Sequence, residues 1–472
     1  MATIETDYLV VGGGAAGMAF ADSLITECGA DVVIVDRRHR PGGHWNSAYP
    51  FVRLHQPSAF YGVNSMVLGS DTIDSEGPNA GLYERATAPA ICQYFSRVLD
   101  ERLLASGRVR FLAMTDYAGD MRTEHHVVSR LTGRRADVVV RRKLVDARFL
   151  EPSIPATHTP SFEVDPQVRF IPVNDLVNLA DPGSGFTIVG AGKTAMDACV
   201  WLLEQGVDPG AIRWIRPRDA WLLDRKFQQP LKLLPALIEG VSLYLEAAAE
   251  ADSRPDLFRR LEDCGQLVRL DPGITPTMFR SATVSDTELG ALRSIEHVVR
   301  LGRVRRLGTG TITLASGSIP TDRRQIHIDC SAAGLPAPPP RPVFEPGRIT
   351  LQVIRAHQPV FSAALAAFVE TARTHDTERN VLCPANPWPS AAGDWIRTTL
   401  ISQQAQAAWS TPDISGWLDR SRLNAARGIG DHATDPRMQA SLHRLLTSMK
   451  PALENLAHLA EISHPVAATA RT

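Results

Sequence analysis

A chain of 472 residues with 44% hydrophobic and 21% charged side chains has ordinary soluble globular composition, and it is too long for one compact core, so two or three domains are expected. The formal net charge of −1 argues against nucleic acid or an anionic membrane surface as the main partner. No apolar run approaches the roughly 18–20 residues that span a bilayer, and the N-terminus enters a strand with no signal-peptide pattern, so a cytoplasmic protein is expected.

The first 45 residues carry the strongest signal. An apolar strand, Tyr8 to Val11, runs into a G-x-G-x-x-G turn at Gly12, Gly14 and Gly17. Met18 to Ile25 reads as the helix that follows, and Asp31 to Asp36 as a second buried strand ending on an acid. Gly12 permits the tight turn, Gly14 lets a pyrophosphate approach the backbone, and Gly17 allows helix to pack on strand. Phosphates would sit on the free N–H groups of the helix start, near Ala16, and Asp36 would hold the ribose hydroxyls. Arg37 to Trp45 follows, with Gly42-Gly43-His44-Trp45 at its end. This segment resembles the one lining FAD in flavoprotein monooxygenases, where G-G-x-W follows the acidic strand end. The resemblance implies FAD contacts from Arg37, Gly43, His44 and Trp45.

The loop Asn46 to Met66 has little periodicity. In the flavin monooxygenase family the matching loop runs beneath the flavin ring and presents a polar side chain. His55 and Gln56 stand there, where Asn is common, so the resemblance makes them the catalytic candidates. Thr87 to Ala105 has helical spacing, and Arg108–Leu112 and 127–145 read as strands closing a half-domain. Asp146-Ala147-Arg148 replaces the family's A-T-G turn. Prolines at 152, 155, 160, 166 and 172 then forbid a helix and mark an inter-domain connection. His158 in this run is expected to be a solvent-exposed loop histidine. The monooxygenase fingerprint F-x-G-x-x-x-H-x-x-x-[WY] is not provided by Phe162 to Phe170.

A second strand, glycine turn and helix begins at Phe186, with Gly190, Gly192, Lys193, Thr194 and Ala195 as candidate nucleotide contacts. Arg216 and Arg218 stand after the next strand, where the first site has an acid. Arginine there fits a ribose 2′-phosphate, so this site is expected to bind NADPH. The stretch 226–293 reads as a helical insertion, with Leu234, Leu237, Met278 and Phe279 as core residues that could also line a substrate cavity. Cys330 to Gly334 resembles the turn by which two-dinucleotide flavoproteins return to the FAD domain. The helix after Gln358-Pro359 is then expected to point at the flavin pyrimidine, with Gln358 near the cofactor and Ser362 as its cap. Two more helices, about 413–427 and 435–461, are expected to pack over the FAD domain or a partner subunit, and 463–472 to be disordered.

Six cysteines, all far apart and without C-x-x-C, argue against a dithiol redox centre and a cysteine-rich zinc site; no metal is expected. Taken together, the fold class is α/β: two Rossmann-like domains with a helical insertion and a helical C-terminal tail. The expected boundaries are 1–160 and 326–400 for the two parts of the FAD domain, 161–325 for the NADPH domain, and 401–472 for the tail. The resemblance is to two-dinucleotide-binding-domain flavoproteins, closest to class B-like flavin monooxygenases. It implies that NADPH reduces FAD and that the reduced flavin carries oxygen, as a C4a-peroxide, to a nitrogen, sulfur or carbonyl of a small organic substrate. The alternatives are an NADPH-dependent flavin reductase or dehydrogenase, and a non-catalytic FAD-binding sensor. Substrate identity and oligomeric state, monomer or homo-oligomer, stay open.

Overall fold

The computed structural model describes residues 2–461; the expected disordered end, 463–472, lies outside them. The chain opens with strand β1 (Ala2–Val11), helix α1 (Ala15–Glu27), β2 (Val32–Val35), α2 (Ala88–Arg97) and β3 (Val109–Leu112). β4 (Thr115–Tyr117) and β5 (His126–Ser129) form a hairpin that feeds β6 (Arg135–Asp146). β6 lies parallel to β1 on the side opposite β2, so the strand order reverses at β1. That reversal leaves a crevice outside the carboxyl end of β1, where ligands of open α/β sheets bind. β2 is buried at all four positions, as expected of a parallel strand covered on both faces.

A second parallel sheet follows. Its strands are β8 (Arg169–Pro172), β9 (Gly185–Val189), β10 (Ile212–Ile215), β14 (Val298–Val299) and β18 (Gln325–Asp329), ordered β14-β10-β9-β18-β8, with α3 (Lys193–Glu204) after β9. β7 (Glu163–Val164) joins the meander β15 (Val304–Leu307), β16 (Thr311–Leu314) and β17 (Gly317–Pro320). The stretch 226–293 is not wholly helical. It contains α4 (Leu234–Glu250), α5 (Arg254–Asp263) and α6 (Asp286–Arg293), but also β12 (Leu267–Val268) and β13 (Met278–Val284). β13 pairs in parallel with β11 (Ala220–Asp224). Its Met-Phe-Arg-Ser-Ala-Thr-Val sequence ends on the β-branched Thr and Val, which favour a strand.

The chain then returns to the first sheet through β19 (Phe344–Glu345) and β20 (Arg348–Thr350), the latter parallel to β6. α7 (Pro359–Ala372) is buried without a break from Val360 to Glu370 and packs on α1. A helix apolar all round belongs in the core. α8 (Asp376–Leu382), α9 (Asp394–Ala408), α10 (Pro412–Arg420) and α11 (Pro436–Glu461) complete the described chain. The tail divides its packing. Trp409 and Trp417 lie against Phe361 of α7, whereas α11 packs on α4 of the insertion, a neighbour the sequence did not indicate. No helix among the described residues is long and apolar enough to cross a membrane.

Candidate functional site

At the first turn Gly12 adopts φ +111°, a conformation glycine supplies without strain. A Cβ at Gly17 would collide with the carbonyl oxygen of Gly12, so the helix can approach this closely only with glycine there. The buried Asp36 carboxylate accepts hydrogen bonds from the backbone N–H groups of Gly13 (2.7 Å) and Arg38 (2.7 Å). Each oxygen thus keeps lone-pair capacity for a hydroxyl. Gly42 N donates to Gly13 O at 2.9 Å, and a Cβ on Gly43 would stand 3.0 Å from Gly14 Cα, so the Arg37–Trp45 segment closes directly on the turn. α1 has no side-chain cap and no acid in its first turn. Its free N–H groups and dipole therefore fit an anion, and the donor set fits a dinucleotide.

The second turn repeats the pattern with other closures. Gly190 has φ +143°, and a Cβ there would collide with the carbonyl oxygen at Cys330. α3 likewise has no side-chain cap and no acid in its first turn. Lys193 is paired with Asp197 one turn on, and Asp197 also accepts from the Tyr49 hydroxyl at 2.6 Å.

Both turns open on one cavity of about 910 Å³, at the upper end of the roughly 300–1,000 Å³ usual for ligand sites. Of the expected contacts, Gly12, Gly14, Ala16, Asp36, Arg37, Gly43, His44, Trp45, Gly190, Gly192, Lys193, Thr194 and Arg218 line it, as do His55 and Gln56. Gly17 and Ala195 lie behind the two turns, where they set helix packing.

Three expected contacts lie elsewhere. Arg216 is buried, with Nε 3.0 Å from Asp219 and its guanidinium over the Trp214 ring, so it is spent inside the protein. Burial also pulls its pKa down. Arg218 faces the cavity instead, together with Arg280 and Arg303. Gln358 does not line the cavity, and it rather than Ser362 is the cap residue of α7, whose first residue is Pro359. Ser362 is fully buried. Its hydroxyl donates to Gln358 O (2.7 Å) and accepts from Ile354 N (3.0 Å), tying the preceding loop. Of the four apolar candidates only Met278 lines the cavity; Leu234 and Phe279 are core.

His55 lines the cavity, exposed to its open space but surrounded by protein. Withdrawal from bulk water, aided by the nearby Lys193 cation, pushes its imidazole down to about 4, so it is neutral at pH 7. Its backbone carbonyl accepts from Thr283 Oγ1 at 2.7 Å. His44 is pushed to about 4 by burial, with Arg38 adding to the effect. Trp45 Nε1 donates to the Tyr61 hydroxyl at 2.8 Å, locking the indole at the cavity wall.

Several members of this site carry no sequence motif. At a second, smaller pocket lined by Arg85 and Glu288, Glu288 of α6 accepts from Arg85 (2.9 Å) and Arg225 (2.5 Å), all three buried. Burial alone would raise the Glu288 carboxyl, but Lys193, Arg225 and Arg85 outweigh it and hold it well below the carboxylate range. Arg85 precedes α2 and Arg225 follows β11, so this network ties distant parts of the chain together. His158 is not solvent-exposed: its Nε2 lies 3.2 Å from Ser331 Oγ and 3.5 Å from Asp329 Oδ2, at the end of β18. The proline-rich strap is thereby pinned to the cavity rim. His357 and Trp388 also line the wall. Long-range packing alone brings these residues in. Among the described residues no group of three or more His, Cys, Asp or Glu side chains could hold a metal ion.

The NAD(P)-binding Rossmann-like domain family model matches residues 10–69. "Uncharacterized protein Rv2000" of Mycobacterium tuberculosis (strain H37Rv) is 46% identical over 424 residues, 89% of this chain and 78% of that protein. "Uncharacterized protein Mb2023" of Mycobacterium bovis matches with the same identity and coverage. Among solved structures, the polycyclic ketone monooxygenase of the thermophilic fungus Thermothelomyces thermophila is similar over 96% of this chain and 90% of that one. Its TM-score is 0.51 at 13% identity, a likeness of fold.

Proposed function

The chain belongs to one family with the Mycobacterium tuberculosis protein Rv2000 and has the fold of flavin monooxygenases, and from that premise we propose that it is an FAD-dependent, NADPH-reduced monooxygenase of a small organic molecule. The observation that carries this reading is the single cavity lined by both glycine turns, with a carboxylate at the far end of one and arginines at the far end of the other. FAD would lie against Gly12, Gly14 and Asp36, and NADPH against Gly190, Gly192 and Arg218. Bound there, FAD supplies hydride acceptance from NADPH and, once reduced, activation of O₂ for transfer to a nitrogen, sulfur or carbonyl group.

The chain's own part is positioning. Asp36, pinned by two backbone N–H groups, orients one dinucleotide, and the uncapped starts of α1 and α3 hold phosphates. Neutral His55 offers one N–H to an oxygen at the cavity centre without adding a charge, and Gln56 stands beside it. Tyr49, Val52, Leu54 and Met278 give the cavity an apolar lining that keeps water from the reacting atoms.

The reading is tested by mixing the NADPH-reduced holoprotein with oxygenated buffer under rapid-scan absorbance, with a hydrogen peroxide assay. A transient species distinct from oxidised and reduced flavin, with peroxide released slowly, is expected. Immediate reoxidation with one peroxide per flavin would replace this reading with that of a flavin reductase.

A further inference from the structure

The sequence motifs leave out His357, which stands two residues before α7 and lines the cavity. Its backbone is in the left-handed region, φ +66°, which is costly for a residue other than glycine. Such strain persists only where the surroundings over-determine it. Here they do: Ala356 N donates to Ser402 Oγ at 2.8 Å, Gln358 N to Arg355 O at 3.2 Å, and Ser362 N to Gln358 O at 3.0 Å. The loop is fixed on both sides of His357, and the imidazole stands edge-on to the buried Phe279 ring, 5.7 Å between centroids at 81°.

The two ring nitrogens differ. Nδ1 is sealed in protein with no hydrogen-bond partner among the described residues. A buried N–H without an acceptor is rarer than a bare acceptor, so the proton is assigned to Nε2. Nε2 also has no partner among the described residues and is not sealed, so it is the nitrogen on the cavity side. Burial pushes the imidazole down to about 4, which keeps it neutral near pH 7. The same cavity is lined by Met278, Arg280 and Ala282 from β13, Val360 from α7, and Trp388 from the segment that pairs with β13.

We propose that His357 is a specificity-determining residue, a fixed Nε2–H donor in the cavity wall that selects organic molecules presenting a carbonyl-type acceptor oxygen over sulfides of similar size. The proposal rests on the flavin-cavity reading above and narrows its substrate class. A backbone strained to aim one donor, with the ring's other nitrogen left bare, is the arrangement expected where a ligand supplies the missing acceptor.

The test uses the FAD-loaded protein and two probes of similar size, acetophenone and thioanisole, followed by perturbation of the flavin absorbance. Two variants keep the backbone comfortable. His357→Gly removes the donor and relieves the positive φ, whereas His357→Asn tolerates that φ and retains an amide donor. In His357→Gly the ratio of acetophenone to thioanisole Kd should rise about tenfold, the scale of one hydrogen bond to a buried partner, and His357→Asn should restore at least part of it. In ¹⁵N-histidine spectra of the wild type, His357 should show a protonated Nε2 and a bare Nδ1, and its Nε2 signal should move with acetophenone but not thioanisole. An unchanged ratio, no response of the wild type to acetophenone, or a proton on Nδ1 would overturn the assignment. Failure of the underlying reading would look different: a preparation with no flavin spectrum, or flavin that NADPH does not bleach.

Discussion

At the first turn, Gly17 lies against Gly12 and Asp36 is held by the backbone of the same turn; at the second, Ala195 replaces the third glycine and the closure comes from a distant strand, at Cys330. The far end also differs in kind. Asp36 is a single fixed carboxylate, whereas the second site divides its arginines between a buried structural one, Arg216, and cavity-facing ones, Arg218, Arg280 and Arg303. The lesson is that one spacing of glycines admits two ways of building a dinucleotide cradle. Both are closed by a distant strand end, Ala147 after β6 at the first turn and Cys330 after β18 at the second, and the first adds the local contact of Gly17 on the Gly12 carbonyl.

Exchanging the third positions should break the symmetry most strongly. Gly17→Ala puts a methyl onto the Gly12 carbonyl, and the protein should lose FAD and about 1–3 kcal/mol or more of stability, measured by bound-flavin absorbance and denaturant unfolding. Ala195→Gly opens space inside a helix and should cost only about 0.5–1 kcal/mol with FAD retained. Equal losses would show that the two turns are built alike.

Next in size is the separation of the two arginines. Arg218→Ala should raise the KM for NADPH about tenfold or more and leave that for NADH nearly unchanged, since only NADPH carries the 2′-phosphate. Arg216→Ala should lower the melting temperature, because it removes one of the two arginines paired with Asp219 and the cation over Trp214, and should keep the NADPH/NADH ratio. Steady-state flavin reduction and thermal melts separate the two outcomes.

These arginines also show where the sequence stops being legible. Both glycine turns, Asp36 and the two parallel sheets follow from local spacing, because strand, turn and helix are neighbours in the chain. Arg216 and Arg218 differ only in which way each side chain leaves a short turn, and that is decided by Asp219 and the Trp214 ring. β13 was hidden because its partner β11 lies more than fifty residues earlier, and strand pairing at that distance leaves no periodic mark. Ser362 was read as a cap from its residue type, yet Pro359 starts the helix three residues sooner. His357 carried no signal at all, since its role depends on a backbone angle and on neighbours from β13 and the tail.

The smallest expected effect concerns pH. His44, His55 and His357 all have imidazoles pushed from 6.5 to about 4 by burial. Unfolding at low pH lets them take up protons that the folded state refuses. Their contribution to stability is therefore full above about 6.5 and is lost as pH falls from there toward 4. Melting temperature should decline across that window, and His55→Gln should shallow the decline. A slope unchanged in the variant would mean that His55 is solvated.

Anaerobic rapid mixing of the purified holoprotein with NADPH, and separately with NADH, reports whether two dinucleotides meet in one cavity. A yellow protein is expected, with a flavin band that bleaches with either nucleotide and markedly faster with NADPH at equal subsaturating concentration. A flavin that neither nucleotide bleaches would rule out a shared cavity.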